Sequence, residues 1–169
     1  MTPALKKLVE STQAAAPRGG APEPQALLSA IRGSLFDLDL LADEHRRANP
    51  DTYTRHVLYA DPHGLFTILA IVWSPGQGSP VHAHHTWCAV GVYAGELTET
   101  FFRITPGDVQ PRVVREVQRG PGDSCFDSGR DGIHRIENRS CELAISIHVY
   151  GVGADRITTG VNRVYPVAA

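Results

Sequence analysis

The sequence lacks the features of several large functional classes. It contains no long run of lysine or arginine and its formal net charge is −2, which argues against nucleic acid or an anionic membrane as the main partner. No apolar stretch approaches the length of a membrane span. Residues 1–16 also lack the basic region and hydrophobic core of a secretory signal. We therefore expect a cytoplasmic protein that binds neither nucleic acid nor a membrane.

Cysteine is also scarce. Cys88, Cys125 and Cys141 are an odd number without the spacing of a zinc ribbon, and we interpret them as reduced thiols of a cytoplasmic protein. Histidine, by contrast, occurs eight times among 169 residues, which directs attention to metal chemistry. The composition fits a monomer or a small homo-oligomer equally well.

The length of the chain predicts one domain, residues 1–169. Its predicted parts are a helical N-terminal part (1–50), a β-barrel (53–150) and a C-terminal tail (151–169). Helical patterns cover residues 2–16, 24–36 and 38–47, so two or three N-terminal helices are expected. Strand patterns cover residues 53–60, 65–73, 86–94, 97–104, 112–118, 124–126, 133–137 and 143–150. Many short strands separated by regular turn signals predict a mainly β fold, a double-sheet jelly-roll barrel.

Two histidines stand at i and i+2 in a segment with strand character. His82 and His84 follow a turn rich in glycine and proline, and alternate residues of a strand share one face. Two neighbouring imidazoles can bind one metal ion, although the same pattern alone also fits two surface histidines. A third histidine, His134, lies far downstream, again after a turn and within a strand pattern.

These histidines resemble the two motifs of the cupin superfamily. Gly76, His82, His84 and Gly95 match the first motif, and His134 with the asparagine four residues later matches the end of the second. The resemblance covers about residues 53–150 and implies a cupin barrel, a double-stranded β-helix, behind the N-terminal helices.

The sequence departs from the cupin pattern at one metal ligand. The glutamate that usually follows the second histidine is missing, and Cys88 or Ala89 occupies its place. Three neutral imidazoles leave a divalent metal with its full charge, which favours an anionic substrate such as a thiolate. The same three ligands also serve zinc hydrolases, so ligand type alone does not separate iron from zinc.

The last predicted strand alternates polar and apolar side chains. Ser146, His148 and Tyr150 share one face, and the other face carries two isoleucines and a valine. The pattern alone favours an outward polar face.

Four segments together resemble the thiol dioxygenase family, which comprises cysteine dioxygenase and bacterial 3-mercaptopropionate dioxygenases. They are residues 79–84, Trp87, residues 132–135 and residues 146–151. The resemblance turns the polar face of the last strand into the barrel and leaves its apolar face in the core between the sheets. It implies iron(II), Fe(2+), as cofactor, and His82, His84 and His134 as its ligands. It also implies Tyr150 as the catalytic group that donates a hydrogen bond towards the reacting oxygen, oriented by His148 and Ser146.

Cys88 raises a further expectation from the same family. In animal cysteine dioxygenases a cysteine at this position forms a thioether with the active-site tyrosine, so a Cys88–Tyr150 crosslink is one hypothesis. The alternative is an unmodified thiol that packs as a small hydrophobic side chain. Trp73 and Trp87 are expected to be packing residues, with lining of the site as the alternative for Trp87.

An arginine is suited to bind a substrate carboxylate through paired hydrogen bonds. Tyr53 and Arg55 resemble the Tyr-x-Arg of cysteine dioxygenases, and Arg156 and Arg163 are the alternatives suggested by the bacterial relatives. The predicted reaction oxidises the thiol of a small thiol carboxylate with O2 to the sulfinate. L-Cysteine is the expected substrate and 3-mercaptopropionate a close second. Another metal-dependent cupin enzyme, an isomerase or hydrolase, and a small-ligand-binding cupin are the alternatives.

Overall fold

The computed structural model describes residues 1–18, 21–107, 109–129, 132–158 and 161–166. The helices are α1 (Pro3–Ala15) and α2 (Pro24–Arg32), with short 3-10 helices at Asp43–Arg46 and Ala154–Arg156. The strands are β1 (Thr54–Ala60), β2 (Thr67–Trp73), β3 (His82–His84), β4 (Cys88–Ala94), β5 (Leu97–Arg103), β6 (Arg112–Arg119), β7 (Ser124–Asp127), β8 (Ile133–Glu137), β9 (Ala144–Tyr150) and β10 (Asn162–Val164). In the described part of the chain, no helix has the length and apolar character needed to cross a bilayer.

The strands form two five-stranded sheets. The first sheet has the order β1-β2-β9-β4-β7 and the second has the order β10-β3-β8-β5-β6. Neighbouring strands pair antiparallel in both sheets. The mainly β, double-sheet prediction is therefore confirmed.

The N-terminal part contains two α-helices and one short 3-10 turn. Thr2 caps α1, since its side-chain oxygen accepts a hydrogen bond from the Leu5 amide. The second helix ends at Arg32, four residues before its predicted end, because Gly33 follows it and the Ser34 amide bonds only three residues back to Ile31. The third predicted helix is reduced to the 3-10 helix Asp43–Arg46.

The helices cover the outer face of the first sheet. Ile145, Ile147 and Val149 of β9 belong to the same buried cluster as Leu8 of α1 and Ile31 of α2. The expectation that this apolar face lies between the sheets is therefore wrong. The helices bury it from outside, which leaves the polar face of β9 free to point into the barrel.

A glycine on β4 sets how closely α2 approaches this sheet. A Cβ atom added to Gly91 would lie 2.4 Å from the Ile31 side chain and 2.9 Å from that of Leu35. A larger residue at this position would therefore push the helical layer away from the sheet.

Two short strands complete the second sheet. Within it, β3 lies between β8, to which it pairs through His82 and His134, and β10, to which it pairs through His84 and Asn162. The strand β10 was not predicted, because its three residues lie in a segment without clear alternation. Its pairing brings the C-terminal tail alongside the histidine strand.

Candidate metal centre

Three histidines from two neighbouring strands meet inside the barrel. His82 and His84 lie on one face of β3, and His134 of β8 stands directly opposite His82. One ring nitrogen from each histidine lies within 4.8 Å of the others, and the Nε2 atoms of His82 and His84 are 3.2 Å apart. All three side chains are buried, so the cluster is an internal site.

Hydrogen bonds on the outer nitrogens hold the rings of the first two histidines. The Nδ1 atom of His82 lies 2.9 Å from the carbonyl oxygen of Pro80, and that of His84 lies 2.9 Å from a carboxylate oxygen of Asp127. A carbonyl or carboxylate at Nδ1 fixes the tautomer that carries its proton there. Both Nε2 atoms are then left with lone pairs directed into the cluster.

The third histidine follows the same rule. Its Nδ1 atom lies 2.8 Å from a carboxylate oxygen of Glu99, while the Nε2 atom of His134 is buried and has no hydrogen-bond partner. A buried nitrogen without a partner is costly unless a ligand occupies it. Three converging imidazole nitrogens fit a divalent transition metal such as iron or zinc, and the donor set of this site therefore suits a metal cofactor.

Burial favours the neutral form of two of the three rings, His82 and His84. It lowers the pKa of His82 to about 3, with further lowering by the neighbouring His134 and His84. Burial also lowers the pKa of His84, although the hydrogen bond to Asp127 opposes it. Neutral imidazole is the form that binds a metal, so near neutral pH these two ligands need lose no proton before binding.

Two carboxylates behind the histidines were not predicted from the sequence. Burial raises the pKa of Glu99, but the hydrogen bond from His134 and the nearby Arg119 outweigh it, so the net pKa is lowered. Burial also raises the pKa of Asp127, but the hydrogen bonds from His84 and from the Gly129 amide outweigh it, so its net pKa is lowered as well. Both side chains are therefore anionic partners of metal ligands, a common arrangement in metalloproteins.

The polar residues of β9 form a hydrogen-bonded row on the opposite wall of the cavity. The indole nitrogen of Trp73 donates to Ser146 Oγ over 2.9 Å, and Ser146 Oγ lies 2.8 Å from Nε2 of His148. The Nδ1 atom of His148 lies 3.2 Å from the Tyr150 hydroxyl. The expected orientation of this face is thus observed, and Trp73, expected only to pack, is the anchor of the row.

The donor at the start of the row sets its direction. Because the Trp73 indole can only donate, the Ser146 hydroxyl is free to donate to His148 Nε2. His148 then carries its proton on Nδ1 and donates to the Tyr150 oxygen. The Tyr150 hydroxyl then donates away from His148, where the adjacent Cys88 thiol is one acceptor and a group bound at the histidine cluster would be another.

Tyr53 and Arg55 lie in the same cavity as the histidines. The cavity encloses about 20 Å³ and is lined by Tyr53, Arg55, Ile71, Trp73, Ser79, His82, His84, His134, Ile136, His148, Tyr150 and Asn162. The Tyr53 ring stacks on Trp73 at 4.6 Å between ring centroids, and its hydroxyl accepts a 2.8 Å hydrogen bond from Arg55. Tyr53, Arg55 and Asn162 also border a wider outer groove of about 220 Å³, and thus stand where that groove meets the metal cavity.

The other two candidate arginines lie elsewhere. Arg163 pairs with Ala83 rather than with a histidine of β3, which turns its side chain to the other face of the sheet, where it stacks over Tyr165 at 5.1 Å. Arg156 is exposed on the 3-10 helix Ala154–Arg156. Neither of these arginines lines the metal cavity.

Cys88 is the cross-strand neighbour of Tyr150. The two residues stand directly opposite each other in the β4–β9 ladder, and side chains at such positions are in reach of each other. Burial raises the pKa of the Cys88 thiol. Burial, followed by the adjacent Cys88, likewise raises the pKa of Tyr150, so both groups keep their protons.

Four cavity or supporting residues were missed in the sequence: Trp73, Glu99, Asp127 and Asn162. One signal for Glu99 was available, because an acidic residue on the same face of a strand as large apolar residues requires a buried partner. No local pattern marked the other three, whose roles depend on contacts between strands that are distant in sequence.

The double-sheet barrel with a three-histidine cluster defines a cupin. A sequence profile of the family described as cysteine dioxygenase type I matches residues 12–159. The chain belongs to this family, and the resemblance recognised in its motifs is confirmed.

Individual relatives agree with the family. The chain is 29% identical to human cysteine dioxygenase type 1 over 134 residues, which cover 76% of this chain and 63% of the human protein. It is 30% identical to the rat protein over the same coverage, and 34% identical to the zebrafish protein over 104 residues, which cover 58% of this chain and 50% of that protein. The chain thus matches less than two thirds of the length of these relatives.

Solved structures support the fold. A Klebsiella pneumoniae protein with a double-stranded β-helix domain superimposes with a TM-score of 0.52 at 18% identity, covering 76% of this chain and 98% of the other. A cupin-2 domain protein of Rhodospirillum rubrum gives 0.51 at 16% identity, covering 69% and 66%. The cupin architecture predicted from the motifs is therefore confirmed.

Proposed function

We propose that the protein is a non-haem iron(II) thiol dioxygenase that oxidises a small thiol carboxylate with O2 to the sulfinate. One observation carries the proposal: three buried imidazoles, without a carboxylate ligand, converge between a cavity arginine and a hydrogen-bonded tyrosine. Membership of the cysteine dioxygenase type I family supports it.

His82, His84 and His134 would hold the metal. Iron(II), when bound, would supply a common binding point for the thiolate and dioxygen and a path for electrons between them. In the balanced reaction both oxygen atoms become bonded to sulfur, four electrons pass from sulfur to dioxygen, and a thiolate becomes a sulfinate of the same charge.

The charges around the ligands suit one anionic substrate. Glu99 and Asp127 bond to the histidines from behind, and Arg119 pairs with Glu99. A divalent metal together with these three side chains carries one net positive charge, which a single thiolate neutralises. This matches the thiolate predicted from the missing carboxylate ligand, although the carboxylates behind the ring reduce the charge of the site.

Arg55 fixes the other end of the substrate. Its guanidinium can bind a carboxylate through two parallel hydrogen bonds, and Tyr53 restrains its position through the 2.8 Å hydrogen bond. A substrate held at its thiolate and its carboxylate has little freedom left, which lowers the entropic barrier to reaction.

Tyr150 donates a hydrogen bond at the reacting oxygen. Burial raises the pKa of Tyr150 and lowers that of His148, so the tyrosine stays protonated and the histidine neutral. The row from Trp73 through Ser146 keeps the donor oriented without moving a charge into the cavity.

Cysteine is the proposed substrate and 3-mercaptopropionate a close second. The Tyr53 and Arg55 pair lines the cavity as the cysteine dioxygenase resemblance implies, and the curated relatives are named cysteine dioxygenase type 1. The test is sulfinate formation by iron-loaded protein on cysteine, 3-mercaptopropionate, cysteamine and mercaptosuccinate, with oxygen uptake and metal content measured together. Absence of thiol-dependent oxygen uptake would instead support another metal-dependent cupin enzyme.

The carboxylate clamp has its own test. We expect Arg55→Ala to raise KM for the preferred thiol carboxylate by about tenfold or more, because it removes charged hydrogen bonds. Arg156→Ala and Arg163→Ala are the matched controls. A large KM change in either control, with little change in Arg55→Ala, would move the clamp to the C-terminal tail.

We propose Cys88 and Tyr150 as the pair that a thioether crosslink would join, since they are opposite neighbours in the ladder. Peptide mass spectrometry of active enzyme tests this. An unmodified Tyr150 peptide at full activity would leave Cys88 as a packed thiol.

We further propose that residues 1–169 form one cupin domain that works in the cytoplasm as a monomer or small homo-oligomer. The support is one buried cluster shared by the N-terminal helices and the first sheet, and three cysteines that form no disulfide.

A further inference from the structure

The side-chain oxygen of Asn162 is buried and has no hydrogen-bond partner among the described residues. The Oδ1 atom is among six buried side-chain atoms without a partner in the described part of the chain. Only two of the six, His134 Nε2 and Asn162 Oδ1, belong to residues that line the metal cavity. A bound metal would be a partner for His134 Nε2, whereas Asn162 Oδ1 would still lack a hydrogen-bond donor.

The register of the second sheet explains why this amide faces the cavity. Asn162 stands opposite His84 in the β10–β3 ladder, and directly opposed residues project to the same face of a sheet. Asn162 also borders the outer groove together with Tyr53 and Arg55. The amide oxygen therefore lies beside the path between the carboxylate clamp and the metal ligands.

No hydrogen-bond donor among the described residues reaches Asn162 Oδ1. The Arg55 guanidinium bonds to Tyr53, and the Trp73 indole bonds to Ser146. An unpaired buried acceptor is costly to a fold, and a substrate that brings an N–H group can satisfy it.

The candidate substrates differ in this one respect. A thiolate and a carboxylate only accept hydrogen bonds, so ionised 3-mercaptopropionate offers no donor. Cysteine differs from it by an amino group on the carbon next to the carboxylate, and that group offers N–H donors. A site with a buried polar group discriminates strongly against an analogue that leaves this group unpaired.

We propose that Asn162 Oδ1 accepts a hydrogen bond from the amino group of the substrate and thereby selects an amino thiol over its deaminated analogue. This assignment rests on the proposed thiol dioxygenase function and adds a specificity-determining residue to it. Asn162 acts on the substrate and holds no metal.

Two substitutions separate the hydrogen bond from the shape of the side chain. Asn162→Leu keeps a similar volume and removes the acceptor, whereas Asn162→Asp keeps acceptor oxygens and removes the amide N–H groups. Gln13→Leu, on the exposed side of α1, is the control for replacing an amide by leucine. Iron content and thermal unfolding of each variant establish that the cluster and the fold are intact.

The experiment measures Kd under anaerobic conditions by equilibrium dialysis of iron-loaded protein, and kcat/KM for sulfinate formation, with cysteine and with 3-mercaptopropionate. We expect Asn162→Leu to weaken cysteine binding and kcat/KM about tenfold or more. The values for 3-mercaptopropionate should stay within about twofold or improve, because the unpaired acceptor is gone. Asn162→Asp should retain the preference for cysteine.

Equal losses for both thiols in Asn162→Leu, or a wild-type preference for 3-mercaptopropionate, would overturn the role of Asn162. Wild-type protein that oxidises neither thiol would refute the proposed activity. In that case the dialysis still decides the role of Asn162, because unchanged Kd values for cysteine in Asn162→Leu would contradict it.

Discussion

The two sheets of the barrel contribute opposite kinds of chemistry to one cavity. The second sheet supplies the three histidines and Glu99 of β5, which backs His134, whereas the carboxylate behind His84, Asp127, comes from β7 at the edge of the first sheet. The first sheet supplies the Ser146, His148 and Tyr150 row, which ends on an indole and contains no charged side chain.

This difference follows from what each set of residues must hold: a metal cation at the histidines, and a proton at Tyr150. A metal cation inside a barrel needs compensating negative charge, because an uncompensated buried charge is strongly destabilising. A hydrogen-bond donor that meets oxygen must keep its proton, which burial favours by raising the pKa of Tyr150 against the opposing charge of Arg55. The barrel thus places the three metal ligands on one sheet and the row that ends at Tyr150 on the other.

Removal of a metal ligand should have the largest effect. His134→Ala leaves two imidazoles, and we expect bound iron to fall more than tenfold with loss of detectable activity. Metal analysis of purified protein checks this, with His63→Ala at an exposed turn as the matched control. Stoichiometric iron in His134→Ala would exclude His134 from the ligand set.

The carboxylate behind that ligand should matter next. Glu99→Gln keeps the shape but removes the charge that orients His134, and we expect metal affinity to fall about 10- to 100-fold. Competition with a chelator measures it, and Glu116→Gln on the exposed strand β6 is the control. An unchanged metal affinity in Glu99→Gln would show that packing alone holds the His134 ring in place.

A change in the hydrogen-bonded row of β9 should slow turnover and leave the metal in place. Tyr150→Phe removes the hydroxyl at the end of this row, and we expect kcat to fall about 10- to 100-fold with iron content unchanged. Steady-state kinetics with parallel metal analysis show whether the substitution impairs turnover or metal binding. A loss of iron in Tyr150→Phe would break the proposed division of roles.

The smallest expected effect is a loss of stability of the metal-free protein in mild acid. Burial lowers the pKa of His82 to about 3 and also lowers those of His84 and His148. The unfolded chain therefore takes up protons first as pH falls below about 6.5, and each such histidine reduces the free energy of unfolding by at most about 1.4 kcal/mol per pH unit. The loss contributed by His82 should continue to about pH 3.

Urea unfolding at pH 7.5 and pH 5.5 measures this dependence. His148→Asn should reduce the slope by about the share of one histidine. A free energy of unfolding that is equal at both pH values would contradict buried neutral rings.

Much of the site was visible in the sequence because it depends on strand periodicity. Alternation with a period of two puts His82 with His84, and Ser146 with His148 and Tyr150, on common faces regardless of the rest of the fold. The distant histidine entered through the resemblance of its motif, and the cysteine dioxygenase type I family was recognisable from the same short segments.

Tertiary structure decided what periodicity leaves open. Alternation alone favours an outward polar face of β9, and only the packing of α1 and α2 on Ile147 and its neighbours sends that face inward. Glu99 and Asn162 reach the site through ladders between strands far apart in sequence. Their roles are set by long-range register, which no local pattern in the chain encodes.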